Sequence, residues 1–184
     1  MDGFTHRLAG VSTASIAIIG AEPHIHLASA TLLIIGGYIG GELPDFDKNQ
    51  SDFSQNHKLL TILLNTFVLF LKGKSNTHRG ISHTALIPIT LYLISYHAST
   101  LPCSPIIQVL ATCGIGISLG YASHILLDLL TSMGVMFFYP FSKKFISIGN
   151  IKRKNTNTTR FIIILIVFFI WQLQMNYGST LQFF

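Results

Sequence analysis

Formal charge is what this chain has least of. Only 10% of its 184 residues are Asp, Glu, Lys or Arg, against about 25% in an average soluble domain. A soluble domain needs such charges to cover its surface, so an ordinary water-soluble globule is excluded. An apolar content of 49% excludes a disordered chain as well. Cysteine is also scarce. Cys103 and Cys113 would stand about 15 Å apart along a helix, too far for a disulfide, and neither lies near another metal-binding residue type. The opening Met1-Asp2-Gly3-Phe4-Thr5-His6-Arg7 carries one basic residue and Ala21-Glu22-Pro23 is a poor cleavage site, a pattern unlike a cleaved signal peptide. No internal repeat is evident, and Asn155-Thr156-Asn157-Thr158-Thr159 reads as a polar linker.

What is present is long uncharged runs. Between Arg79 and Asp128 lie 48 residues without formal charge, from Phe161 onward 24, and from Pro23 to Gly41 another 19. A helix needs about 20 mostly apolar residues to cross the hydrocarbon core, so these runs predict membrane spans. Leu101-Pro102-Cys103-Ser104-Pro105 splits the longest. The expected spans are 84–100, 106–130 and 161–175, with a tighter pair at 8–21 and 25–41. The first of that pair has only 14 uncharged positions, which is short, about 21 Å of helix. Leu59–Leu71 is a 13-residue run between Lys58 and Lys72, a length that fits an interfacial or re-entrant helix. The expectation is an all-α, polytopic membrane bundle of about five spans. It forms one integral membrane domain over 1–184, with a core at 5–142, a basic cytoplasmic loop at 143–160 and a last span at 161–175.

Orientation follows from the basic residues. With five crossings, the connections at 22–24 and 101–105 share one side and contain no Lys or Arg, while all twelve Lys and Arg fall on the other. The positive-inside rule makes the basic side cytoplasmic and carries the C-terminus out. The net charge of +5 is then topogenic and attracts anionic headgroups; no aromatic-and-basic motif for nucleic acid accompanies it. Trp171 and Tyr177 read as interfacial anchors. The stripe Gly36-Gly37-x-x-Gly40-Gly41 permits a close helix contact, internal rather than between chains.

Eight His and seven acids are a large polar burden for such a chain. Four clusters converge on the cytoplasmic face of the expected topology: Thr5-His6-Arg7, Leu43-Pro44-Asp45-Phe46-Asp47, His78-Arg79-Gly80-Ile81-Ser82-His83-Thr84, and Ser123-His124-Ile125-Leu126-Leu127-Asp128. His124 and Asp128 are i and i+4 on a helix, one turn apart on one face. Such a pair can bind a divalent cation, or simply hydrogen-bond inside the bundle. His83 is expected to open a helix, with Gly80 allowing the tight backbone that turns His78 toward it. The alternative has His78 and Arg79 at the interface and Ser82-His83 capping the helix. Asp45 and Asp47 are expected to alternate on a short extended segment, although Pro-Asp-x-Asp is also an ordinary loop. Together the His and Asp form the mixed nitrogen and oxygen set that suits zinc, or manganese. His24, His26 and His97 lie near the opposite face, where imidazoles sit among headgroups and water.

The series Thr5-His6, Pro44-Asp45-Phe46-Asp47, His78-Arg79-Gly80-Ile81-Ser82-His83-Thr84 and Gly120-Tyr121-Ala122-Ser123-His124-Ile125-Leu126-Leu127-Asp128 resembles one family, the bacterial inner-membrane metal-dependent hydrolases of YdjM/YbcI type. Leu130-Thr131-Ser132-Met133-Gly134-Val135 and Phe138-Tyr139-Pro140-Phe141 extend the resemblance over about residues 5–142. Ser82 and Thr84 stand where Thr and Ser are more usual, keeping the hydroxyls. The resemblance implies distant kinship with zinc-dependent phospholipase C and single-strand nucleases. It also implies a metal centre with Asp45, His83, His124 and Asp128 as core ligands and His6 beside them. Asp47 and His78 would be secondary ligands or partners, and Arg79 would hold an anionic phosphate. The implied chemistry is metal-assisted hydrolysis, with Asp45 or Asp47 taking a proton from water and a phospholipid or lipid-linked phosphoester as substrate. Two rival classes are a metal-handling or transport protein, for which Glu22, His24, His26 and His97 would line the remaining path, and a non-catalytic protein with a structural metal.

Overall fold

The computed structural model describes residues 2–21, 25–48, 51–72, 79–151 and 155–177. Among the described residues the regular elements are seven helices: α1 (Gly3–Gly20), α2 (Leu27–Glu42), α3 (Asp52–Asn56), α4 (Lys58–Lys72), α5 (Leu86–Thr100), α6 (Pro105–Leu129) and α7 (Thr156–Tyr177). Short 3₁₀ turns occupy Leu43–Asp47 and Ile81–His83. Among the described residues there is no strand, only two isolated bridges, Thr131 with Ile151 and Val135 with Ile146. Stretches within Leu27–Asp47, Pro105–Leu129 and Thr156–Met175 are long and apolar enough to cross a membrane. α1 and α5, the other two helices of the expected five, are about 27 Å and 22 Å long.

α1 is longer than the uncharged run predicts, because Arg7 does not end it. Arg7 sits in the second turn, bonded through Nη1 to Glu42 at 2.9 Å and through Nη2 to Asp52 at 3.2 Å. Asp2 caps the helix, its carboxylate accepting from the Thr5 backbone N–H at 3.0 Å. The other end of the bundle turns at Leu101–Ser104, with Pro105 in the first turn of α6. There proline costs nothing, since that N–H would have no helical partner.

α6 is the axis of the bundle and packs on α2, α5 and α1, while α7 leans on α1. Glycine sets how closely. A Cβ on Gly40 would lie 2.0 Å from the Ile117 carbonyl oxygen, and one on Gly36 2.4 Å from that of Cys113. On the other side of α2, Gly37 and Gly10 face each other, and a Cβ on either would meet the other's carbonyl oxygen within 2.6 Å. The glycine stripe therefore makes internal contacts on both sides, with α1 and α6 touching α2 backbone to backbone. Large apolar residues cover the outside, among them Ile35, Tyr38, Ile89, Leu93, Ile106 and Leu110. That is the surface of a protein solvated by lipid tails.

Beyond α6 the chain folds back over one end. Val135 and Ile146 exchange both backbone hydrogen bonds, at 3.0 and 2.9 Å. Val135 joins Tyr121, Ile125 and Leu129 of α6 in a buried apolar cluster. α4, expected to be interfacial or re-entrant, packs on α3 and the Leu43–Asp47 turn. Its Leu59, Leu60, Ile62 and Leu63 are exposed. Cys103 and Cys113 are free.

α7 is tied to α1 by Arg160, whose Nη2 donates to Asp2 Oδ2 at 2.5 Å and whose Nε donates to Thr5 Oγ1 at 3.1 Å. Partial burial pushes the Asp2 carboxyl up, but bonds from Thr5 and Arg160 outweigh it and hold the group below its ordinary value. A depressed carboxyl contributes stability above its unfolded value and loses it as pH falls through the folded one. Docking of α7 should therefore loosen only below about pH 4. Trp171, the single tryptophan, lies at a cleft with Ser12, Ser15 and Ile19 of α1. Its emission should shift on acidification in the wild type and already be shifted at neutral pH in Asp2→Asn.

Candidate metal centre

Four chain segments end at the capped end of the bundle and deliver one polar side chain or more each. His6 comes from the first turns of α1, Asp45 from the turn after α2, His83 from the turn before α5, and His124 with Asp128 from the last turns of α6. His6, His83, His124 and Asp128 are all at most 1% exposed, and the Asp45 side chain is 15% exposed, the one open edge of the group.

The rings pack against one another. His6 stacks on His124 with centroids 3.7 Å apart, and His83 meets His124 edge-on at 5.2 Å. Asp128 Oδ2 lies 3.4 Å from His83 Nε2 and 3.7 Å from His124 Nε2, and Oδ1 lies 3.6 Å from His6 Nε2. Asp45 Oδ1 is 3.8 Å from His124 Nε2 and 4.0 Å from His83 Nε2. Two groups emerge whose donor atoms lie within 4.8 Å of one another: His6, His124 and Asp128, and Asp45, His83 and His124.

Hydrogen bonds fix which nitrogens face inward. His124 Nδ1 is 2.8 Å from the Gly41 carbonyl oxygen. A carbonyl only accepts, so Nδ1 carries the proton and the neutral ring turns a bare Nε2 toward two carboxylates. His83 is held through one more step. The Ser82 hydroxyl donates to Asp47 Oδ2 at 2.6 Å, which leaves its oxygen to accept from His83 Nδ1 at 2.8 Å. His83 Nε2 is therefore the nitrogen that faces Asp45 and Asp128. The His124 Nε2 lone pair and the carboxylate oxygens of Asp128 and Asp45, at 3.7 and 3.8 Å, repel each other unless a cation or proton lies between them.

That convergence joins a match over nearly the whole chain. The family model described as YdjM inner membrane protein matches residues 1–183. The chain belongs to the YdjM inner membrane protein family. No curated protein and no solved structure matches it. The family description makes the chain an inner membrane protein, in agreement with its apolar helices.

In this YdjM-family chain the predicted site residues fall into three places. His6, Asp45, His83, His124 and Asp128 come together. Asp47 stands behind His83, accepting from Ser82 and from the Arg79 backbone N–H at 3.3 Å. His78 lies outside the described residues. Arg79 is buried beside the group with both terminal nitrogens engaged, Nη2 on Asp128 Oδ1 and Nη1 on Thr131 Oγ1, each at 2.8 Å. Its Nε has no partner among the described residues. His26 and His97 stand at the opposite end, on the N-cap of α2 and in the last turn of α5, and both are exposed; Glu22 and His24 lie outside the described residues.

Two local expectations are corrected. Asp45 and Asp47 sit on a 3₁₀ turn, not an extended segment, because α2 runs straight into Leu43–Asp47 with Pro44 near its start. His83 does not open or cap α5. It closes its own 3₁₀ turn, and α5 begins after Thr84, whose hydroxyl accepts from Leu86 N–H at 3.1 Å and donates to the Tyr139 carbonyl at 3.0 Å. The tight backbone spans two residues: Arg79 is left-handed, with φ of 67°, and Gly80 beside it takes φ −79° and ψ −118°. A left-handed conformation is costly for a side chain of this size; here it turns the guanidinium onto Asp128.

No role at the site was read from sequence for Ser82, Tyr121, Thr131 or Gly41. Tyr121 holds the turn by donating to the Ser82 carbonyl at 2.5 Å, and Thr131 donates to the Asp128 carbonyl at 2.7 Å while receiving Arg79. The readable signal for Ser82 was a hydroxyl directly beside His83. Ser82→Ala should lower divalent-metal affinity by about 10–100-fold, the usual cost of losing a group that orients a ligand. Ser82→Thr should restore most of it. Metal titration of the purified variants checks both.

Proposed function

We propose that the chain is a membrane-bound metal-dependent hydrolase acting on a phosphoester or lipid-linked substrate at the cytoplasmic face. One observation carries the reading: imidazole nitrogens and carboxylate oxygens converge at a buried point, with His124 Nε2 and His6 Nδ1 lacking any hydrogen-bond partner among the described residues. Buried polar atoms are normally paired, so a bare His124 Nε2 facing the carboxylates of Asp45 and Asp128 fits a divalent ion. Three imidazoles and two carboxylates suit zinc, with manganese the alternative. Arg7, Lys48, Arg79, Lys143 and Arg160 lie on segments at this end, which supports a cytoplasmic site and an outward C-terminus.

His83, His124, Asp45 and Asp128 would hold the ion, with His6 beside them. A bound divalent ion supplies a water of lowered pKa and polarises a phosphoryl oxygen. The chain's own residues do the rest. Asp45, on the open edge, accepts the proton of the attacking water. Asp47 acts through Ser82 to keep His83 in one tautomer. Arg79 balances Asp128; of its five N–H donors one is given to Asp128 and one to Thr131, which leaves Nε–H and one on each terminal nitrogen for a substrate oxygen. The test is turnover of phospholipid and soluble phosphodiester panels by the zinc-loaded protein in detergent. Asp45→Asn should lower the rate by about 10²–10⁴-fold. No turnover by the wild type on either panel, with zinc bound, contradicts the reading.

A further inference from the structure

An apolar cleft of about 300 Å³ opens between α5 and α6. It exists because small residues face each other there: Ala85 at the N-cap of α5, Ser118 and Ala122 on α6. Ser118 offers it no polar group, since its hydroxyl is spent on the Ile115 carbonyl at 2.7 Å. Phe137 closes one end; its carbonyl receives the Ala85 N–H at 3.1 Å. Ile89, Leu93 and Leu126 line the cleft and are exposed, so it is continuous with the lipid-covered face of the bundle.

Its length and position identify the occupant. On α5 with its N-cap the lining runs from Ala85 to Leu93, and on α6 from Ser118 to Leu126, about 12 Å along each helix. One leaflet is half of a hydrocarbon core of about 30 Å, so the cleft spans most of a leaflet. It starts at the level of the metal-binding group: Ala85 is two residues past His83, and Leu126 two before Asp128. A soluble phosphoester would find nothing to bind in such a cleft, whereas a hydrocarbon chain matches it in polarity, depth and direction.

We infer that the α5/α6 cleft is the acyl-chain slot of a phospholipid drawn from the leaflet at the site end, which places the headgroup phosphoester at the level of His83 and Asp128. The inference rests on the hydrolase reading for what happens to the lipid, but the slot is testable without turnover. The protein is placed in vesicles containing a phosphatidylglycerol with a photoreactive diazirine on one acyl chain. After illumination, labelled residues are mapped by mass spectrometry, and zinc is measured on the same samples. Label on Ile89 and Leu126 should exceed that on Phe168 and Phe169 of α7 several-fold, and Ala122→Phe should remove the excess while retaining zinc. Ala122→Leu fills the cleft less and serves if the phenylalanine variant does not fold. Even labelling of all lipid-facing helices, or an excess unchanged in the filled variants, overturns the slot. Zinc bound without the excess overturns the slot and leaves the hydrolase reading. The excess without zinc upholds the slot and removes the hydrolase reading.

Discussion

Asp128→Ala is expected to abolish tight divalent-metal binding and to destabilise the fold in the same step. Asp128 is 1% exposed and serves two sets of partners: Oδ2 faces His83 and His124, and Oδ1 accepts from Arg79 at 2.8 Å. Removing it takes away a ligand and leaves a buried guanidinium without its counter-ion. Breaking one side of a buried pair costs about 3–5 kcal/mol. Asp128→Asn separates the two effects. It keeps an acceptor for Arg79 and fills the same space, so it should lose the metal yet retain more stability than the alanine variant. Metal titration with thermal melts of all three proteins checks this. Equal affinity in the wild type and Asp128→Asn would place the ion elsewhere.

The second large effect comes from a single methyl group. Gly40→Ala is expected to separate α2 from α6, since its Cβ would stand 2.0 Å from the Ile117 carbonyl oxygen. The cost of such overpacking is about 1–3 kcal/mol, and more where the obstacle is backbone. The site should suffer too. α2 carries Asp45 at its end, and the Gly41 carbonyl fixes the tautomer of His124, so a shifted α2 misplaces a ligand and releases another. Gly20→Ala is the control: its Cβ meets nothing within 4 Å, and the variant should melt and bind metal like the wild type. A Gly40→Ala protein as stable as the wild type would mean that the helices do not pack as described.

What was legible in the sequence follows from what each signal depends on. Runs without charge located α2, α5, α6 and α7 because the bilayer acts on every residue of a span. The meeting of His6, Asp45, His83, His124 and Asp128 followed from alternating spans alone, since each lies at the same end of its helix. The glycine stripe was readable because only close backbone contact favours four glycines at that spacing. Local geometry was not readable. Arg7 marked the boundary of the first expected span because its partners, Glu42 and Asp52, are 35 and 45 residues away in sequence. The φ of Arg79 is set by the pull of Asp128 across the site, and the role of Ser82 by a carboxylate on a different turn. Those are tertiary contacts, made with residues distant in sequence.

The central claim is that these buried side chains hold a divalent ion, and elemental analysis of the purified protein tests it most directly. The wild type should carry at least one equivalent of zinc or manganese per chain, and a folded His124→Ala/Asp128→Ala variant should carry none. Equal metal in the two proteins, or none in the wild type after exposure to both ions, would contradict the account.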